Sequence, residues 1–150
     1  MRSEGSIVID RPIEEVFHLT CDRVPEWSLV VSEEQILEES PDGVGTRFRT
    51  VTEDRGRRMV FDGVVTSHEP PHLSAVRLTG KDFDIEAVYM FEDLGGQTRV
   101  TQHSVVDGKG FFKVMFALFG WAMKKASCDA TQRELESLKA YCETEPAAAP

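Results

Sequence analysis

Between about residue 30 and residue 107 the side chains alternate with a period of two. Turn signals break that alternation at Pro41-Asp42-Gly43, Arg55-Gly56, Glu69-Pro70-Pro71, Gly80-Lys81-Asp82 and Leu94-Gly95-Gly96. Short alternating runs between such turns are the signature of half-buried strands joined as hairpins. The stretch therefore reads as six strands in a meander. One more β-type run, Ile7-Val8-Ile9, comes before it. A short helix follows that run. Pro12 suits its first turn, where the missing N–H is not needed. Glu14 and Glu15 sit where the helix dipole favours negative charge, and Ile13, Val16, Phe17 and Thr20 repeat at helical spacing. Val24-Pro25-Glu26-Trp27 reads as a second short helix or turn. From Phe111 to about Glu143 the pattern is helical again, a helix of about 50 Å. Strands segregated from helices give an α+β chain with helix packed on one face of an antiparallel sheet.

Setting each hairpin by its turn tests the sheet. Phe91 opposes Val100, Tyr89 opposes Gln102, Ala87 opposes Ser104 and Ile85 opposes Val106. Phe83 then opposes Leu78, Val76 meets Val65, and Leu78 meets Gly63. Gly63 meets Phe48, Phe61 meets Thr50, and Met59 meets Thr52. One mostly apolar face survives throughout. The other face pairs Glu53 with Arg58, Arg49 with Asp62, Arg77 with Asp84 and Glu92 with Arg99. The strand before Pro41 admits either face inward, depending on whether a bulge intervenes.

The inward face also carries Thr46, Thr50, Thr52, Tyr89, Gln102 and Ser104. Buried polar groups need partners. Either these groups bond one another or ordered water, or the sheet curves from the long helix and leaves a small-molecule cavity. The inward positions from residue 46 to 106 include no acid, lysine, arginine or histidine. Tyr89 is the one inward group that titrates, with an ordinary phenol value near pH 10, and it is the catalytic candidate if the protein is an enzyme. His103 falls outward. Pro70-Pro71 separates His68 from His72, and His18 and Cys21 have no further ligands nearby, so no metal site is expected. Gly43-Val44-Gly45 lacks the third glycine and the following helix of a nucleotide loop. No cofactor is expected.

The long helix carries two stripes. Phe112, Phe116, Phe119, Met123 and Ala126 form the natural sheet-facing side, continued by Leu135, Leu138 and Cys142. Phe111, Val114, Leu118 and Trp121 recur nearly opposite. Either other parts of the chain cover this second stripe, or it forms a homodimer contact or a transient membrane or partner contact. Gly120 marks a bend, a close approach by a ligand or another backbone, or tight packing.

The 150 residues suffice for one domain, placed at 1–143 with a flexible tail at 144–150. Seventeen Lys and Arg against 26 Asp and Glu give a net charge of −9, a poor match for nucleic acid. An apolar content of 41% is too high for a disordered chain. No apolar run reaches the ~20 residues of a transmembrane segment. Three cysteines without a framework spacing, and no signal-peptide pattern, point to the cytoplasm.

The order of elements and several local motifs resemble the START-like, helix-grip superfamily, the birch-pollen-allergen fold. The nearest likeness within it is the polyketide cyclase/dehydrase and lipid transport group. The residues that carry it are Ile7-Val8-Ile9-Asp10, Pro12-Ile13-Glu14-Glu15-Val16-Phe17, Asp22, Pro25-Glu26-Trp27, Gly43-Val44-Gly45-Thr46, Glu69-Pro70-Pro71, Gly95-Gly96-Gln97-Thr98-Arg99-Val100-Thr101 and the closing helix. Together they cover about residues 4 to 143. The resemblance implies a seven-stranded antiparallel sheet gripping the C-terminal helix, with a ligand cavity between them. It does not imply one chemistry, because the fold hosts carriers, receptors and cyclases. The expected function is binding or transport of a hydrophobic small molecule such as a lipid, quinone or polyketide. Walls are expected from Phe48, Met59, Phe61, Ile85, Tyr89, Phe91, Phe112, Phe116, Phe119 and Met123. Thr50, Tyr89, Gln102 and Ser104 would orient a polar group. The alternatives are a polyketide cyclase or dehydratase using Tyr89, and an interaction module acting through the second helix stripe.

Overall fold

Within residues 1–144, which the computed structural model describes, the chain forms β1 (Arg2–Ile9), α1 (Ile13–Asp22), α2 (Val24–Trp27), β2 (Val31–Glu38), β3 (Arg47–Asp54), β4 (Arg57–Glu69), β5 (Leu73–Thr79), β6 (Phe83–Asp93), β7 (Thr98–Gly108) and α3 (Phe111–Thr144). The strands make one antiparallel sheet in the order β1-β7-β6-β5-β4-β3-β2. The architecture is the helix-grip α+β fold, a curved sheet with a long C-terminal helix. Thr144, assigned to the tail by sequence, closes α3; the rest of that tail lies outside the described residues.

Turn chemistry sets most registers as expected. Phe48 opposes Gly63, Phe61 opposes Thr50, and Tyr89 opposes Gln102. The β5–β6 hairpin differs by two residues: Leu78 opposes Ile85, and Arg77 opposes Glu86 rather than Asp84. Gly80 N–H donates to Phe83 O, and a Cβ at Gly80 would sit 2.6 Å from the Phe61 ring. That close packing places the turn at Lys81-Asp82. A two-residue shift keeps every side chain on its face. Arg77 pairs with Glu86 at 3.4 Å, while Lys109 reaches Asp84 at 3.0 Å. Arg58 stands opposite Glu53 in register but meets Glu33 at 3.8 Å.

Bulges change more. In β2, register shifts fall between Val31 and Glu33 and between Ile36 and Glu38. Val31, Glu34 and Ile36 therefore oppose the inward Thr52, Thr50 and Phe48, while Gln35 opposes the outward Arg49. In β4 a shift between Val65 and Ser67 brings His68 opposite Ser74, whose partner on the next strand is Tyr89. An odd shift reverses the side-chain parity beyond it.

The core gathers Ile9, Val16, Phe17, Trp27, Phe91 and Val100 beneath Leu135, Leu138 and Cys142 of α3. Gly5 permits this approach, since a Cβ there would meet Gln132 and Leu135 at 3.0 and 3.1 Å. Gln132 brackets the Ser6 backbone, donating to its O at 3.0 Å and accepting from its N at 3.3 Å. Lys139 Nζ donates to Val8 O at 2.9 Å, and Asp10 N–H donates to Glu143 at 2.8 Å.

The first half of α3 behaves differently. Phe112 and Phe116 pack on Phe83, with ring centroids at 4.6 and 5.8 Å. The Arg57 guanidinium lies over Phe112 at 5.3 Å. Phe119 and Ala126, assigned by sequence to the sheet-facing stripe, are exposed. Beyond the helix's own backbone and its chain neighbours, no heavy atom among the described residues lies within 4 Å of a Cβ built at Gly120, so neither tight packing nor the approach of another backbone explains that glycine. No helix among the described residues is long and apolar enough to cross a membrane.

The two halves should respond oppositely to truncation. Leu135→Ala is expected to cost about 2–5 kcal/mol in urea unfolding, and Leu118→Ala, on the bare face, within about 0.5 kcal/mol of zero. Equal losses would contradict this division of the helix.

Candidate functional site

A cavity of about 300 Å³ lies between the inner face of β2–β6 and the α1–α2 pair. Its roof is positioned from two sides. Trp27 is buried, donates its indole N–H to Thr20 O at 3.2 Å, and packs edge-on against Tyr89 at 6.5 Å. From α3, Glu134 accepts from Ser28 Oγ and Leu29 N–H, both at 2.6 Å. Ser28 Oγ accepts in turn from Val30 and Val31 N–H at 3.2 and 3.1 Å. The segment entering β2 is thereby fixed, and with it the bulge that turns Glu34 inward.

Two glycines shape the floor. Phe48 lies across Gly63, where a Cβ would be 2.4 Å from its ring. Gly43, at φ +90°, leaves room for the His68 ring, which a Cβ would approach to 2.5 Å. Apolar walls come from Val24, Val31, Ile36, Phe48, Val65, Val76, Leu78 and Ala87. Thr50, Ser74, Cys21, Tyr89 and His68 add polar atoms, and Asp22, Glu34 and Glu39 add carboxylates.

Of the sequence-predicted residues, Phe48, Thr50 and Tyr89 line this cavity. Met59, Phe61, Ile85, Gln102 and Ser104 share the inner face of the sheet but lie outside the lining. Phe61 is buried beside Gly80, and the buried Gln102 side-chain oxygen has no hydrogen-bond partner among the described residues. Phe91 belongs to the core, edge-on to Phe17 at 5.0 Å. Phe112 and Phe116 are committed to Phe83, Met123 is half-buried, and Phe119 is 54% exposed. The wall expected from α3 is not part of this cavity. Among the described residues none of α3 lines it, because the helix is buried from Thr131 onward and α1–α2 cover this part of the sheet.

Sequence reasoning left the face of Glu34 open and missed His68, because both sit beyond bulges. Burial pushes the Glu34 carboxyl up from its ordinary value, against a 3.3 Å hydrogen bond donated by Thr50, with Asp22 raising it further. The residue is nonetheless exposed at the cavity mouth. Burial pushes the Cys21 thiol up to about 12, opposed by a hydrogen bond with Ser74. Burial, followed by the charges of Glu134, Cys21 and Glu34, raises Tyr89 well above the ordinary phenol range. At neutral pH both remain protonated donors. The His68 ring packs against Phe17 at 5.6 Å. A larger open depression, about 810 Å³, lies on the outer face, lined by charged groups including Glu33, Arg49, Arg58 and Asp62. It lacks the apolar enclosure of the inner cavity.

Residues 1–143 match the family described as polyketide cyclase / dehydrase and lipid transport. The chain belongs to that family. Its fold is similar to a START superfamily protein from Mycobacterium smegmatis, with TM-score 0.82 and 19% identity over 97% of this chain and 99% of that one. The protein TTHA0849 from Thermus thermophilus gives TM-score 0.79 and 18% identity over 100% of both chains. The Zhui aromatase/cyclase from a Streptomyces species gives 0.73 and 16%, over 99% of this chain and 97% of that one. At these identities the likeness is one of fold. No curated protein matches the sequence significantly.

The Glu34 shift makes a pH prediction. A carboxyl whose folded pKa is raised stabilises the fold below its unfolded value and loses that contribution as pH rises through the folded value. Glu34→Gln should therefore be more stable than the parent at pH 7, and the difference should vanish below about pH 4. Paired urea titrations across that range check it; a parent more stable at pH 7 would contradict the assignment.

Proposed function

We propose that the protein binds one small apolar or amphipathic molecule in the cavity between α1–α2 and the sheet. The observation that carries this reading is a mostly apolar cavity of about 300 Å³, open along β2 where Glu34 and Ile36 are exposed, into which neutral donors and a few carboxylates converge. Mostly apolar walls with a few placed polar groups describe small-molecule sites, and this volume is at the lower end of their range. The mechanism is sequestration. A ligand hiding roughly 200 Å² of apolar area gains about 5 kcal/mol, part of which association takes back. The half-buried Cys21 and buried Cys142 thiols support a reducing, cytoplasmic setting.

The lining also favours a ligand polarity. Among the described residues it holds three carboxylates, Asp22, Glu34 and Glu39, and neither lysine nor arginine. A neutral or cationic head meets attraction there, whereas an anionic head meets like charge. Among alkyl ligands of matched length, the amine and alcohol should bind at least about tenfold tighter than the carboxylate, with the gap narrowed in Glu34→Gln. A carboxylate that binds tightest would overturn this polarity.

Native mass spectrometry of freshly purified protein, searching for a co-purified small molecule, tests occupancy. Ala87→Phe, which projects a ring into the cavity, should abolish binding while retaining the circular dichroism spectrum. Undiminished binding in that variant would place the ligand elsewhere.

A second reading is an enzyme, a cyclase or dehydratase on a polyketide-like carbonyl chain. It is favoured by the convergence of a protonated Tyr89 with Glu34 and His68 in one cavity. Tyr89 would donate to a carbonyl oxygen, and Glu34 or His68 would exchange the proton. Tyr89→Phe separates the two: it abolishes turnover in an enzyme but changes the affinity of a carrier only a fewfold. We propose further that the uncovered outer face of the first half of α3 is a contact surface.

A further inference from the structure

We infer that the outer face of the first half of α3 docks on an anionic lipid bilayer. The inference rests on reading that face as a contact surface and is independent of what the cavity holds.

Phe111, Val114, Leu118 and Trp121 are 73%, 59%, 60% and 81% exposed. At 100° per residue they fall within one arc of the helix, opposite Phe112, Phe116 and Met123. The Trp121 indole N–H turns back along the helix to Leu118 O at 3.2 Å. Contiguous apolar surface on this scale marks an interaction site.

Charge identifies the partner. Lys113, Lys124 and Lys125 are exposed on this segment, and Gly110 to Lys125 contains no Asp or Glu, although the whole chain carries −9. An apolar arc holding an exposed tryptophan and edged by lysines is the pattern of a helix lying in the headgroup plane of an anionic membrane. The acidic remainder of the protein is repelled by the same surface, so only this face approaches. A second copy fits worse. Apposing two such faces brings six lysines together with no acid of either segment to neutralise them, a cost like-charge juxtaposition imposes on any homodimer.

The test is flotation of the full chain with vesicles of phosphatidylcholine alone and with about one-third phosphatidylglycerol. Trp121 emission reports the contact directly, because the other tryptophan, Trp27, is buried. Binding to the anionic vesicles should be at least about tenfold stronger and fall with salt. A blue shift should accompany it and disappear in Trp121→Phe. Leu118→Glu should lower binding at least about tenfold, and Lys113→Gln and Lys124→Gln about fivefold each. All three positions are exposed, so the urea midpoint should not move. Equal binding to both vesicles, or anionic binding that survives Leu118→Glu, overturns the inference. A dimer seen by light scattering and lost in Leu118→Glu overturns it while upholding the contact surface. Neither vesicle binding nor self-association overturns both.

Discussion

The close approach of α3 to β1 over Gly5 organises the molecule. A side chain at that position would push the helix off the strand, and Leu135, Leu138 and Cys142 would lose the core residues they cover. Each such aliphatic contributes roughly 1.5–3 kcal/mol through burial. The polar ties beside them, from Lys139 and Glu143, lie toward the rim, where ion pairs contribute little. They set the helix axis rather than the stability. Once the axis is set, Glu134 stands where it can hold the Ser28–Leu29 backbone, and Trp27 is pinned against Tyr89. The α1–α2 roof, and therefore the cavity, follows from a contact on the far side of the core.

Much of this was legible in the sequence where the physics is local and periodic. Turn residues fixed hairpin centres to within one position, and an error of two residues between β5 and β6 moved no side chain across the sheet. Opposite charges at Arg49–Asp62 and Glu92–Arg99 were readable because register alone placed them together. The chemistry of the cavity was not readable in the same way. Glu34 and His68 reach the inner face through single-residue bulges. A bulge is a response to sheet curvature and to neighbours such as Gly43, and it leaves no mark on the alternation itself. Parity reasoning thus leaves the face of Glu34 open and turns His68 outward.

The long helix shows a second limit. Periodicity identified two apolar stripes, but a stripe does not say over what length it is covered. Phe112 and Phe119 share a stripe, yet Phe112 finds Phe83 while Phe119 stays open. Contact with the sheet resumes as full burial only at Thr131. The α3 wall residues expected from the stripe rest on contact along the entire helix, and they lie outside the lining of the inner cavity.

Net charge, taken as one number, also conceals the arrangement. The −9 is spread over the sheet surface, the cavity mouth and the second half of α3, while the only charges in the mostly apolar segment from Gly110 to Lys125 are its lysines. The apolar face of that segment makes few native contacts, so the fold does not depend on it. Substitutions there change what the protein meets without changing how it folds. Substitutions along the Gly5 face do the reverse. One continuous helix thereby separates stability from encounter, with the change of role falling between Lys125 and Thr131.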